Sequence, residues 1–238
     1  MPNNIYLGSY MIKQITLFLG VLYCLPLLAQ EKHHEDPTKV ITRIGAGYTD
    51  NLTLSGSLAL DKMRKLNAQS NIEGDEWRIG GSWLFEFGIV NFSFSRSEYD
   101  DGGHKKSYSV GTFLPLTVFG VDTGKWMIFP MAGFNHTKGE IVINSDEIES
   151  LNDLVMVQNT SNGGYLGAMG LRPLDENWTF MTFGGGGAGS GGYSNIWAGA
   201  GTSYKINAQQ SFNIFGFVSE DDYGTNNKLG ISYTYEFD

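Results

Sequence analysis

The sequence predicts an all-β chain, closed into an antiparallel up-and-down transmembrane β-barrel of about ten strands. Three observations predict it. The first is the run Leu229–Phe237, which alternates without a slip. Leu229, Ile231, Tyr233, Tyr235 and Phe237 share one face, and Gly230, Ser232, Thr234 and Glu236 share the other. Period two is the signature of a strand with one apolar and one polar side. The second is composition. Charged residues are 17% and aromatics 13%, with 32 glycines, whereas a soluble domain carries about 25% charge. Mean hydropathy is only −0.18, which excludes a bundle of spanning helices and fits strands that hide an apolar residue at every second position. The third is the connections, whose lengths alternate between short and long.

The N-terminus reads as a targeting segment. Lys13 is the single charged residue before Glu31, and Ile15–Leu28 is an apolar core ending near Ala29-Gln30. That layout is a secretory signal over residues 1–29, too short and wrongly flanked for a spanning helix. Met11 is an alternative start, and Leu27 is larger than the residue usually found at that place before a cut. The sole cysteine, Cys24, falls inside the signal. Tyr23 stands where an acylated cysteine would need a small neighbour, so a lipid anchor is not expected. The exported chain then has no thiol, which excludes disulfides, cysteine–zinc sites and thiol catalysis. It keeps 15 basic and 25 acidic side chains, a net charge of −10, which argues against a nucleic-acid partner.

Residues 30–38 form a short polar tail, with His33-His34 read as solvated. The barrel is assigned to residues 39–238. Ile44, Ala46 and Tyr48 open the first strand, and Leu52, Leu54, Leu58 and Leu60 keep the same parity. That run is either one protruding strand or an arm of a separate hairpin; the hairpin would raise the count to twelve. Trp77, Ile79, Trp83, Phe85 and Phe87 oppose Arg78, Ser82 and Glu86. Val90, Phe92 and Phe94 alternate with Asn91, Ser93 and Ser95. Tyr108–Phe119 contains Pro115, which cannot donate to a ladder and marks a bulge or a strand end. Trp126–His136, Tyr165–Leu171, Trp178–Phe183, Tyr193–Tyr204 and Phe212–Val218 supply further strands.

Short connections fall at Gly88, Val121–Gly124, Arg172–Asn177 and Asn207–Gln210. Long ones fall at Asp50–Asp75, Glu98–Lys106, Thr137–Thr160, Gly184–Gly192 and Glu220–Asn227. Ten strands with both termini on one side need five long loops and four short turns. A soluble sandwich also alternates, but its outer faces are charged; here they are mostly Ser, Thr, Gly and Asn. Trp77, Trp126, Trp178, Tyr193 and Tyr235 sit near strand ends, where membrane barrels carry aromatic girdles.

Few residues point to chemistry. Gly184-x-Gly186-x-x-Gly189 matches a dinucleotide fingerprint, but no helical period follows it and Tyr193 begins a strand; it reads as a flexible loop. Glu98, Asp100, Asp101 and His104 share one long loop, Asp221 and Asp222 another, and His136 lies at a strand end. Carboxylates beside a histidine can activate water. No spacing forces these groups together, and no metal-loop spacing is present. No cofactor is expected. The acidic Thr137–Thr160 loop carries Leu151 and Leu154–Val157, read as a capping strand or helix, or as a lid.

The closing strand, the signal, the alternation and the loop parity together resemble the small outer-membrane β-barrels of Gram-negative bacteria, in one of their uncharacterised families. The resemblance implies export to the outer membrane, contact with its lipid, and reading of the closing strand by the barrel-assembly machinery. It implies no reaction. The leading expectation is a non-enzymatic narrow pore or envelope scaffold. Small inward residues such as Ser93, Ser95, Gly230 and Ser232 leave room for water, whereas Arg43, Arg78, Glu86 and Glu236 are able to plug the lumen as ion pairs. The alternative is a rim hydrolase acting on lipid or peptide, with His104, His136, Asp100, Asp101, Asp221 and Asp222 as its candidate residues.

Overall fold

Twelve strands close on themselves among the residues that the computed structural model describes, 32–98, 104–143 and 155–237. They are β1 (Arg43–Tyr48), β2 (Leu52–Ala59), β3 (Arg64–Asn71), β4 (Trp77–Phe85), β5 (Gly88–Glu98), β6 (His104–Phe113), β7 (Met127–Ile143), β8 (Val155–Pro173), β9 (Trp178–Gly189), β10 (Ser194–Lys205), β11 (Gln210–Asp221) and β12 (Gly224–Glu236). Each pairs antiparallel with its sequence neighbour. The barrel shuts where β1 meets β12, with Ile44 opposite Tyr235 and Tyr48 opposite Ile231. Closure removes the sheet edges that an open sheet must protect.

The count of ten expected from the sequence gives way to twelve. The hairpin β2–β3 occupies most of the stretch assigned to the first long loop. Leu52–Ala59 turns back through Leu60–Met63, and Arg64–Asn71 returns along it. β3 hides from a pattern search because its outward row, Arg64, Leu66, Ala68 and Ser70, holds one large apolar residue. The other long loops shorten for a related reason: the strands run on through them. β7 and β8 reach Ile143 and start from Val155, and β9 reaches Gly189. Residues 144–154, the middle of the expected lid Thr137–Thr160, lie outside the described residues, as does the signal segment with Cys24. At the end where β1 begins and β12 stops, hereafter the terminal end, Val121–Gly124 is part of a longer link. β6 stops at Phe113, as Pro115 requires, and a 3-10 turn follows at Leu116–Phe119.

Three turns at this terminal end repeat one solution. Leu60-Asp61, Leu174-Asp175 and Ile206-Asn207 each place an apolar residue before Asp or Asn. In each, the apolar residue's N–H donates across the turn, from Leu60 to the Arg64 carbonyl (2.8 Å), Leu174 to Trp178 (2.8 Å) and Ile206 to Gln210 (2.9 Å). The Asp or Asn side chain then accepts from backbone N–H groups ahead of it: Met63 and Arg64 on Asp61, Asn177 and Trp178 on Asp175, Gln209 on Asn207. This is the local bonding that makes Asx residues turn formers. Arg64 hydrogen-bonds to Asp61 and holds its carboxyl below the usual carboxylate range; the Trp178 N–H does so first for Asp175. A carboxyl depressed in the folded state stabilises above its unfolded value, and that contribution is lost as pH falls through the folded one. Acidification below the usual carboxylate range should therefore shift the amide resonances of Met63, Arg64, Asn177 and Trp178. The Gln209 amide, capped by a group that does not titrate, should hold still; equal movement of all five would defeat the assignment.

Side-chain parity holds round the barrel. Outward on β12 stand Leu229 (77% exposed), Ile231 and Tyr233, with Phe134 and Leu166 equally bare on β7 and β8. Outward Trp77 and Phe85 lie eight residues apart on β4, about 27 Å along the strand at ~3.4 Å per residue. Trp83, Phe85 and Phe87 stack along the terminal end, and Trp178 meets Tyr204 at 4.9 Å. Tyr193 departs from the expected girdle. It is buried at the other, distal end, beside Tyr223.

Candidate functional site in the barrel lumen

Two unlike walls face each other across the lumen. Inward positions of β8–β11 carry Tyr165, Met169, Phe183, Trp197, Phe215 and Phe217, and glycines on neighbouring strands receive these rings. A Cβ on Gly111 would stand 1.9 Å from the Tyr165 hydroxyl, and one on Gly185 2.5 Å from the Trp197 ring and from the Leu166 carbonyl. Gly185 belongs to the Gly184–Gly189 run, which lies within β9; the run is strand, not a flexible loop or a phosphate cradle, and Gly185 is cleared for an aromatic ring. The β1–β5 wall is small and polar. Ser55, Ser57, Asn67, Gln69, Asn91 and Ser93 line a cavity of about 520 Å³, which Arg78 and Tyr165 also border. The hydroxyls of Ser93 and Ser109 meet at 2.8 Å across its floor.

Both mouths are crossed by contacts. At the terminal end the chain preceding β1 lies over the opening. Ser203 donates to Glu35 at 2.8 Å, Lys39 pairs with Glu236 at 2.7 Å, and Lys65 Nζ donates to the Lys39 carbonyl at 2.5 Å. Thr38 is 1% exposed, and Pro37 borders the cavity. Residues 35–38 are thus not a free tail. Glu236 does plug the lumen as an ion pair, but with Lys39. Glu86 takes no part; it is exposed in the β4–β5 turn.

At the distal end Lys105 of β6 bridges to Asp221 of β11. The Tyr223 N–H donates to Asp221 at 2.8 Å, and the Lys105 ammonium lies 5.5 Å from the Tyr223 ring centroid. A second strut runs from Lys228 of β12 to both carboxylate oxygens of Glu76, each 2.8 Å away. Glu76, Lys228, Asp50 and Asn71 also border a smaller distal cavity of about 310 Å³.

The residues proposed for hydrolysis are not brought together. Asp100 and Asp101 lie outside the described residues. His104 points outward, its Nδ1 3.7 Å from Glu140. His136 also points outward, on the middle of β7 rather than at its end, with Nδ1 2.8 Å from Asn162. Asp221 faces the lumen in its bond to Lys105, and Asp222 accepts from the Ser194 N–H at 3.3 Å. The barrel wall therefore separates both histidines from Asp221. Among the described residues no group of three His, Cys, Asp or Glu side chains is placed to hold a metal ion. Sequence reading missed Lys105, Lys228, Glu76 and the Glu35–Lys39 segment. Extending the Tyr108 alternation back to Lys105 puts that cation inside, a signal that was available; its partner across the lumen was not.

No family model matches the chain, and no curated protein matches it. Solved structures do. The translocator domain of the autotransporter NalP from Neisseria meningitidis is 11% identical, with 97% of this chain and 96% of that one covered and a TM-score of 0.54. An outer membrane channel from Pseudomonas putida F1 is also 11% identical, covering 87% of this chain and 100% of that one, with a TM-score of 0.50. At such identities the likeness is one of fold: a closed antiparallel barrel of the outer-membrane type. Within that class this chain is a twelve-stranded barrel with a polar lumen crossed at both ends.

Proposed function

We propose that the chain is an outer-membrane β-barrel working as a narrow, gated pore for small polar solutes. Its N-terminal signal exports it, its closing strand is read by the barrel-assembly machinery, and both termini face the periplasm. The observation that carries this reading is the polar cavity of about 520 Å³ in the lumen, with non-covalent contacts crossing the barrel at both ends. The bare apolar outer face supports insertion, because only a closed barrel satisfies every backbone group of a β-structure in lipid. Refolded protein should show heat-modifiable migration in detergent gels and fractionate with the outer membrane; recovery as a soluble periplasmic monomer would end the proposal.

The aromatic wall of β8–β11 favours a second reading, a scaffold with a shut lumen. Conductance in a planar bilayer separates the two. A rim hydrolase has less support, since catalysis needs acid and base within reach of one substrate and the wall divides His104 and His136 from Asp221. Hydrolysis of peptide or acyl substrates by the purified barrel, lost in His104→Ala or His136→Ala, would restore that alternative.

A further inference from the structure

The outward face carries one row of cations on adjacent strands. Ladder pairing sets Arg96 opposite Lys106, and Lys106 opposite Lys138. All three occupy outward positions, so β5, β6 and β7 present a row of cations on the outer face of the barrel. Neighbouring strands lie about 4.8 Å apart, and the row spans roughly 10 Å. Among the described residues no other outward row sets three cations on adjacent strands; outward Arg64 and Arg172 stand singly at the terminal end, each near a tryptophan ring. The chain is acidic overall, at −9, so the row is a local reversal of sign.

Its surroundings define a ligand with two parts. One step towards the barrel middle lie Phe94 and Tyr108, stacked at 4.5 Å, and then His136. The apolar outward surface continues below them, where Ile79, Phe92, Val110 and Phe134 stand exposed. One step away from the middle lie Glu98, His104 and Glu140. Glu98 pairs with Arg96, and Glu140 lies 3.7 Å from His104. Lys106 and Lys138 are exposed and have no acidic partner among the described residues. Arg96 keeps a buried Nε without a hydrogen-bond acceptor. Trp77 shares the row with Arg96 and packs on Phe94 at 4.9 Å. That puts the cations at the aromatic girdle, the headgroup level, where a cation on the lipid face costs least.

We infer that Arg96, Lys106 and Lys138 form a binding site for a phosphorylated, multiply acylated lipid of the surrounding leaflet. The phosphates meet the cation row, Arg96 as a fork and the lysines as point charges. The acyl chains lie on the apolar surface beneath. An acidic protein partner would need no such surface, and a free phosphate would gain nothing from it.

Native mass spectrometry of the barrel in a neutral detergent tests this, with lipid A in its bisphosphorylated and dephosphorylated forms as probes. The wild-type barrel should retain the phosphorylated form, and the R96A/K106A/K138A variant should retain about tenfold less. An R64A/R172A variant, which removes outward cations at the opposite end, should retain it as the wild type does. Equal retention of the dephosphorylated form, undiminished retention by the triple variant, or equal loss in the R64A/R172A variant would each overturn the site. Heat-modifiable migration is read on every variant, so failure to form the barrel is distinguished from failure to bind.

Discussion

Deleting residues 31–38 and replacing Lys39 with alanine should raise single-channel conductance severalfold in planar bilayers. Of these, Glu35 and Lys39 hold the terminal mouth by contacts that belong to no strand ladder: Ser203 to Glu35, Lys39 to Glu236, and Lys65 to the Lys39 carbonyl. Their removal leaves the twelve ladders intact, so the barrel should persist. The distal mouth supplies an independent arm. The side chains of Lys105 and Asp221 are 20% and 10% exposed, so their bridge is partly buried. Removing one partner of a buried pair strands the other, a loss that typically exceeds the net value of the pair. The double variant K105A/D221A avoids the stranded charge and should open the distal mouth with less harm to the fold. The two openings should be more than additive, because the mouths are resistances in series and whichever one stays closed limits the current. Unchanged conductance in the combined variant, in protein that still migrates as a folded barrel, would sink the pore and leave the scaffold.

The fold class was legible from alternation because a barrel in lipid imposes it on every strand. Leu229, Ile231 and Tyr233 face outward as their parity requires. What parity leaves open is where a strand stops. β7 to β9 run on through residues that read as loops, since from the headgroup level outward an outward-facing residue need not be apolar: Lys138 and Glu140 extend the alternation in geometry but not in hydropathy. The same fact concealed β3. The lumen was legible only by kind. Small polar residues on the inward rows of β5 and β12 announced a wet wall. The pairing of Lys105 with Asp221 joins residues 116 positions apart, a proximity set by closure of the barrel and by nothing local. The cation row was overlooked for the opposite reason: Arg96, Lys106 and Lys138 look ordinary on three separate strands, and only the ladder register lines them up.

Ile231→Arg should destabilise the barrel by about 2–4 kcal/mol, the cost of a cation on the lipid face near mid-membrane. Ile231 lies near the middle of β12, is 45% exposed on the outward face, and is flanked across the ladders by Ile214 and Tyr48. A guanidinium there has no outward acid beside it and must reach several residues along the strand to leave the apolar belt. Ser232→Arg carries the same charge one residue on, but points inward, opposite Gly47 and Asn213. Crowding is its cost: a Cβ on Gly47 would already lie 3.2 Å from that of Ser232. Even so, the inward arginine keeps water and polar neighbours, so it should cost less than its outward counterpart. Equilibrium urea unfolding in phospholipid vesicles measures both. A reversed order would mean that β12 presents its other face to lipid. By the fixed alternation of the ladder, that error would carry through every strand paired to it, and the cation row with it would turn inward.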